Sequence, residues 1–534
     1  MSNLRPLLRL GFNSIKHSSV HTLGAQTKSA GATKSLGGLY AHQTRTMAAT
    51  VFTDDIIKYL DDLHKVLVSD ALVKGTKRDT KVVDFKQPEE LQELLNLPVG
   101  KDGVSHEELL EICRKTIQYS VQTANPLFLN QLYSGRDPYS LSGAWTVEAL
   151  NTNQHTYEVA PVFILVEKYI TERVAEIVGF ENGEGVFTPG GNQGNMLGFH
   201  LARYNSNKEI KQKGLCGSKP MVLYSSIEAH YSIKTGASFL GFGLDNVEYI
   251  DTDDLGRMRP DELEKAVKRN IEEGKIPLCV MATASTTVLG SFDPLNPIAD
   301  VCEKYKLWLH VDGAWGGSVI LSDKHKHLVD GINRADSVFW NAHKMINCQI
   351  QSSIFVTKHK GLLGECNSSH ADYLYQPDKL YDVSWDRGDL SVQCGRKADA
   401  YKLWVMWKAH GDKGLAAIVD SHFDKAAYFT EKLKKTEGFR LVLPEFQSLN
   451  ISFWYIPPSL RGKPETEEWW KEIGRVAPKI KSRMQLKGSL MVGYQPLAHK
   501  NFVNFWRLIL SSTTVTHDDL DFVIEEIDKL GQDL

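Results

Sequence analysis

Two stretches decide the fold. The first is Leu307-Trp308-Leu309-His310-Val311-Asp312-Gly313-Ala314-Trp315-Gly316-Gly317, and the second is Ser337-Val338-Phe339-Trp340-Asn341-Ala342-His343-Lys344. Each opens as a short apolar run that reads as a buried strand. The first run ends in a carboxylate and the second in a lysine. In sheets of parallel strands, ligands gather at the carboxyl ends, so Asp312 and Lys344 are expected to meet. A lysine that forms an imine with an aldehyde, and an aspartate that pairs with a protonated ring nitrogen, are what pyridoxal phosphate (PLP) needs. A lone lysine after a strand is ordinarily a solvated terminus, and a lone aspartate a structural strand end. The pair is what points to the cofactor.

Outward from this pair, 221–224, 247–250, 278–282, 307–311, 337–340 and 353–356 read as strands, with helices expected over 260–273 and 294–305. Strands separated by helices predict an α/β fold with a mostly parallel central sheet covered on both faces. After residue 400 the pattern changes to helices over 398–410, 414–436, 466–487 and 517–531, with strands near 439–456 and 503–510. That predicts a smaller C-terminal α+β domain. Upstream, helical spacing runs over 54–69, 105–123 and 156–178, and 88–103 reads as a loop-rich connection. The expected division is an N-terminal segment 1–53, a helical segment 54–125, a large cofactor-binding domain 126–400 and a small domain 401–534.

At 534 residues the chain is too long for one compact core, and 42% hydrophobic with 24% charged residues is ordinary globular composition. A net charge of −3 gives no electrostatic case for nucleic acid or an anionic membrane as partner. No apolar run approaches a membrane span. The seven cysteines, at 113, 216, 279, 302, 348, 366 and 394, never form a CxxC pair. Their scatter predicts reduced thiols and argues against a disulfide framework and a structural metal. Residues 1–53 carry no acid, and their six basic residues lie among Ser, Thr, Ala, Gly and Leu. That is the composition of a mitochondrial transit peptide. Initiation at Met47 would instead give a cytoplasmic form.

Other segments carry candidate chemistry. Thr188-Pro189-Gly190-Gly191-Asn192-Gln193-Gly194-Asn195 is a glycine-rich turn opening into a helix, where free amides and the helix dipole favour a phosphate. His230 follows a strand and is a candidate to stack on a cofactor ring. Arg507, in Asn504-Phe505-Trp506-Arg507, is a candidate for holding a carboxylate bidentately. The polar stretch 376–391 reads as a mobile loop, and its Tyr381 is a candidate proton donor.

Together these segments resemble the group II PLP-dependent amino-acid decarboxylases, in the branch acting on acidic amino acids. The likeness runs from about residue 105 to the end. It is carried by Asn151-Thr152-Asn153, Thr156-Tyr157-Glu158-Val159-Ala160-Pro161-Val162-Phe163, His230-Tyr231-Ser232-Ile233-Lys234, Gln393-Cys394-Gly395-Arg396, Val476-Ala477-Pro478-Lys479-Ile480-Lys481 and Leu530-Gly531-Gln532-Asp533-Leu534. The resemblance implies the aspartate aminotransferase-like fold, known as PLP fold type I. It also implies roles: Lys344 as the cofactor lysine, Asp312 on the ring nitrogen, His230 on the ring face and Tyr381 reprotonating Cα. Gly191, Asn192, Gln193, Thr287, Asn341 and His343 fall at cofactor-binding positions, and Arg507, Gln131 and Tyr133 at substrate-binding ones. The loop 376–391 usually covers the neighbouring subunit's site, implying a homodimer.

The implied reaction is α-decarboxylation. Tyr133-Ser134-Gly135 and Gln154 look more like the enzymes acting on cysteine sulfinate or aspartate (giving hypotaurine or β-alanine) than those making γ-aminobutyrate from glutamate. A catalytically weak or inactive PLP-binding relative is the alternative of another class. Departures from the family pattern include Ala342 for Pro, Gly313 for Ala, Ser352 for Cys and Gly194 for Ser. Loss of a hydroxyl at Gly194 is expected to weaken phosphate binding by about 1 kcal/mol. Arg387 is expected to add a charge near the site entrance.

Overall fold

A computed structural model describes residues 52–369, 371 and 373–534. The transit-like segment 1–53 lies outside the described residues except for its last two. The described strands, in chain order, are β1 (Phe128–Leu129), β2 (Glu184–Phe187), β3 (Met221–Ser226), β4 (Val247–Ile250), β5 (Ile276–Thr283) and β6 (Trp308–Gly313), then β7 (Ser337–Asn341), β8 (Ser353–Thr357), β9 (Phe439–Leu441), β10 (Asn450–Tyr455), β11 (Met491–Leu497) and β12 (Phe502–Ile509). Seven of them form one sheet in the order β2-β8-β7-β6-β5-β3-β4. Neighbours from β7 to β4 pair parallel, while β8 pairs antiparallel with both β7 and β2. The expected mostly parallel sheet is present. Every residue of β3, β6, β7 and β8 is buried. Helices cover both faces, so these strands read as continuous apolar runs with no alternation.

The register places the chemistry. Thr283 of β5 lies beside Asp312 of β6, and Asp312 beside Phe339 of β7. The carboxyl ends of three neighbouring strands therefore share one edge. The residues after β7 lead to Lys344 and those after β3 to His230. β2 runs in the same sense as β7, so the glycine turn that follows it reaches that edge too.

The second sheet has the order β1-β11-β12-β10-β9. Only β1 joins it in parallel, with Phe128 opposite Met491. Arg507 sits on β12 opposite Gly493 of β11 and Ser452 of β10. One hydrophobic cluster reaches from Leu309, Val311 and Val338 to Ile451, Phe453 and Leu508. Leu63–Leu534 form one compact unit. The other, Met1–Asp62, is described only from residue 52, and helix Asp54–Val66 starts two residues later. No helix among the described residues is long and apolar enough to cross a membrane.

Several expectations need correction. The loop-rich connection 88–103 contains a helix, Pro88–Leu95, with Pro88 in its first turn, Glu89 and Glu90 near the dipole's positive end, and Asn96 as a left-handed cap at φ 47°. Two turns are too few to show a period. The helix expected from 156 begins only at Pro161, where proline favours the first helical position. Helix Pro138–Leu150 has apolar residues around its whole circumference and shows no stripe; its start is fixed by Asp137, which accepts from the Ser140 amide at 2.6 Å. β2 is masked in the sequence by the glycines around it. The two helices expected over 398–410 and 414–436 are present within Asp399–Lys435 and meet at a kink at Gly411, whose φ is 63°.

Candidate active site

The glycine turn enters helix Gly191–Ser206 through Gly190, whose φ of 100° is a conformation glycine alone adopts readily. No side chain caps this helix. A Cβ at Gly190 would meet only Gln351 Oε1, at 3.8 Å. The Oδ1 atom of Asn192 and the Oγ atom of Ser352 are buried without a hydrogen-bond partner among the described residues. Free amides at a helix start, open space and orphaned polar atoms together fit a phosphate. Asn341 accepts from Ser353 Oγ at 2.6 Å, and its Nδ2 lies 3.3 Å from where a Cβ on Gly191 would sit. His343 is tied to the Ser352 backbone through Nδ1, and burial pulls its pKa down to about 4. Gln193 is exposed.

Gly194 corrects an expectation. A Cβ there would lie 2.0 Å from the Phe339 ring. The position faces β7 and is closed to any side chain, so the missing hydroxyl reflects packing against Phe339.

Asp312 is 4% exposed. Its Oδ2 accepts from Asn195 Nδ2 at 2.8 Å and its Oδ1 from the Ala314 amide at 3.0 Å. The Lys344 amine makes no hydrogen bond or ion pair among the described residues. Burial lowers its pKa and the Arg507 charge adds to this, while Asp312 opposes it. His230 accepts from the Ser232 amide at Nδ1, 3.2 Å, which leaves the proton on Nε2. Burial keeps His230 neutral; Asp312 raises its pKa and Lys344 lowers it. Lys344, Asp312 and His230 are thus within electrostatic reach of one another, as the strand ends predict.

Arg507 donates to the Thr287 carbonyl at 3.0 Å and the Asn130 carbonyl at 3.4 Å, and its Nε is buried without a partner. No described carboxylate neutralises it. Thr287, expected near the cofactor, offers its carbonyl to Arg507 and to Asn450 Nδ2 at 2.9 Å. Behind Asn130 stands Lys481, whose Nζ donates to Asn130 Oδ1 at 2.8 Å and to the Val492 carbonyl at 2.7 Å. Burial lowers the Lys481 pKa to about 8. Gln131 is exposed, and Tyr133, 37% exposed, leans on Phe128 at 6.3 Å between ring centroids.

The loop residues are placed elsewhere. Tyr381 donates to Asp386 at 2.9 Å and accepts from the Glu158 amide at 3.1 Å, with its ring 4.9 Å from that of Tyr157. Its partners in this chain are separate from those of Lys344. Arg387 does not stand at the entrance: its Nε lies 3.4 Å from Glu167, which is buried and also paired with Arg396.

Asn195, Ser232, Asn130 and Lys481 carry these contacts and were not singled out by sequence. A signal existed for the first. Gly191, Gly194, Asn195 and Gly198 recur at i, i+3, i+4 and i+7, one helix face stripped of side chains except for an amide.

A family profile described as the pyridoxal-dependent decarboxylase conserved domain matches residues 88–456. The human cysteine sulfinic acid decarboxylase is 49% identical over 471 residues, 88% of this chain and 95% of its own. The human acidic amino acid decarboxylase GADL1 is 48% identical over 479 residues, 89% of this chain and 91% of its own. The crystal structure of mouse CSAD aligns with a TM-score of 0.87 at 46% identity, covering 90% of this chain and 99% of that one. Oryza sativa TDC, solved with PLP and tryptamine, shares the fold at a TM-score of 0.81 and 20% identity, covering 90% of this chain and 98% of that one.

Proposed function

The chain belongs to the pyridoxal-dependent decarboxylase family, and on that premise we propose that it removes the α-carboxylate of a small acidic amino acid, preferring cysteine sulfinate and aspartate over glutamate. Pyridoxal phosphate is the cofactor, and when bound it supplies the electron sink that lets CO₂ leave. The rest falls to the protein. Lys344 holds the cofactor and yields its place to the substrate amine. A lowered amine pKa makes that exchange easier near neutrality. Asp312 keeps a proton on the ring nitrogen, and neutral His230 takes the ring face. The helix start at Gly191, with Asn192, Asn341 and His343, takes the phosphate. Arg507 takes a carboxylate.

The observation that carries the reading is the largely desolvated Arg507 guanidinium, which has no acidic partner among the described residues and whose charge is felt by Lys344. An uncompensated buried cation is costly unless its ligand is an anion. The name of one relative, cysteine sulfinic acid decarboxylase, supports cysteine sulfinate, and that of the other, acidic amino acid decarboxylase, supports an acidic substrate in general. The place of aspartate ahead of glutamate rests on the sequence resemblance around Tyr133 and Gln154.

The working unit in this reading is a homodimer in which Tyr381 delivers its proton to Cα in the neighbouring site. Two observations support it. Tyr381 is engaged away from its own Lys344. Leu380, Tyr373, Val392, Val159 and Val162 are all exposed on or near the loop, an apolar surface that water disfavours.

CO₂ release measured in parallel on cysteine sulfinate, aspartate and glutamate tests the assignment. The expected order of kcat/KM puts glutamate last. Glutamate first would replace the substrate assignment, and silence on all three would end it.

A further inference from the structure

Asn195 is the hub of a buried hydrogen-bond chain that no role assigned so far requires. Its Nδ2 lies 2.8 Å from Asp312 Oδ2 and 2.8 Å from Ser232 Oγ, and its Oδ1 lies 3.0 Å from His310 Nε2. On the far side, His310 Nδ1 is 2.8 Å from Ser337 Oγ, which also accepts from the Trp308 indole at 2.9 Å. Asn195, Ser232, His310 and Ser337 are all buried.

The directions follow from chemistry alone. An ionised carboxylate only accepts, so the Asn195 group facing Asp312 is its NH₂. The amide oxygen then faces His310, so Nε2 carries the His310 proton. Burial lowers the His310 pKa to about 4, leaving the ring neutral with Nδ1 as acceptor. Ser337 therefore donates to Nδ1, and its oxygen accepts from Trp308, which can only donate. Every link is one-way, and it ends on Asp312.

Two glycines make the chain possible. A Cβ at Gly198 would meet His310 Nδ1 at 2.7 Å, and one at Gly194 the Phe339 ring. Only a helix face without side chains lets Asn195 approach both β6 residues. The same amide reaches His230 indirectly, because the Ser232 backbone N–H holds His230 Nδ1.

We propose that Asn195, His310 and Ser337 form a positioning relay that fixes the carboxylate of Asp312 in one orientation for the cofactor's ring nitrogen. None of the three touches the reacting atoms. An amide neither gives nor takes a proton at neutral pH, so the relay holds Asp312 without competing for the proton Asp312 maintains on the ring. The inference rests on the assignment of Asp312 to the ring nitrogen.

The test compares binding of PLP with binding of its analogue carrying carbon in place of the ring nitrogen, using the full-length apo-protein and equilibrium dialysis. In the unmodified protein PLP binds more tightly than the analogue. In H310F the relay is cut, PLP weakens by about tenfold, the analogue is unaffected within about twofold, and the discrimination collapses. His310→Gln, which restores an N–H toward Asn195, recovers part of it. If H310F does not fold, Ser337→Ala cuts the relay one link further out and shows the same pattern at smaller size. Equal weakening of both ligands, or no change in either, overturns the relay while leaving Asp312 in its role. If the unmodified protein itself fails to distinguish PLP from the analogue, the assignment of Asp312 falls and the relay with it.

Discussion

Lys481 donates to Asn130 Oδ1 at 2.8 Å, while the carbonyl of the same Asn130 accepts from Arg507. Two cations without an acidic partner among the described residues thus steady one residue beside the proposed substrate pocket. Lys481→Met is expected to raise KM for the acidic substrate by about fivefold, the worth of one charge-assisted hydrogen bond, and to change kcat less. With a Lys481 pKa of about 8, KM in the unmodified enzyme rises as pH passes 8, and the variant lacks that step. Stability carries the opposite sign. The folded state binds fewer protons than the unfolded state between about 8 and 10.4, so stability gains with pH across that window. Urea denaturation at several pH values will show the gain reduced in K481M.

Glu167 is fully buried between Arg396 and Arg387. Burial alone would raise its pKa, but the two guanidinium groups and the Phe187 amide hold it below the ordinary carboxylate range. Its contribution is complete above about pH 4.5 and is lost as pH falls through the lower folded value. Glu167→Gln leaves two cations without their charge partner and is expected to cost about 3–5 kcal/mol near neutral pH. Acid unfolding of the variant, followed by circular dichroism, is expected to be flatter than that of the unmodified protein.

Gly194 shows the difference between a motif and its surroundings. As a departure from the family pattern it reads as a lost phosphate ligand, yet the structure sets it against Phe339. Gly194→Ser is expected to destabilise by about 1–3 kcal/mol through overpacking and to leave PLP affinity no tighter. A gain in affinity at unchanged stability would contradict this.

The in-trans placement of Tyr381 is tested by mixing subunits. Neither Lys344→Ala nor Tyr381→Phe homodimers should turn over at full rate. A mixed dimer of the two has one site with both an intact Lys344 and a Tyr381 from its neighbour. Statistical mixing should then recover about a quarter of the normal activity. No recovery above the separate variants would place Tyr381 in its own chain's site.

The sheet and the convergence of Asp312, Lys344 and His230 were legible because buried parallel strands write apolar runs and put function at their ends. Arg507 was legible as an arginine flanked by aromatic residues on a strand. His310 and Ser337 were not: each is a polar residue within an apolar run, and its purpose appears only once β6 and β7 pair. Lys481 and Asn130 are 351 residues apart and meet only across the second sheet. Arg387 misled, because a loop arginine reads as solvated until a buried glutamate on another element is found to claim it. The short helix Pro88–Leu95 and strand β2 failed on length and glycine content.

The most direct test of the account is CO₂ release and cofactor absorbance of the PLP-loaded protein beside its Lys344→Ala variant, with cysteine sulfinate as substrate. The account predicts steady CO₂ release and a visible band from covalently held cofactor in the unmodified protein, and neither in the variant. Equal CO₂ release from both proteins would contradict it, because Lys344 would then not be the residue through which this site works.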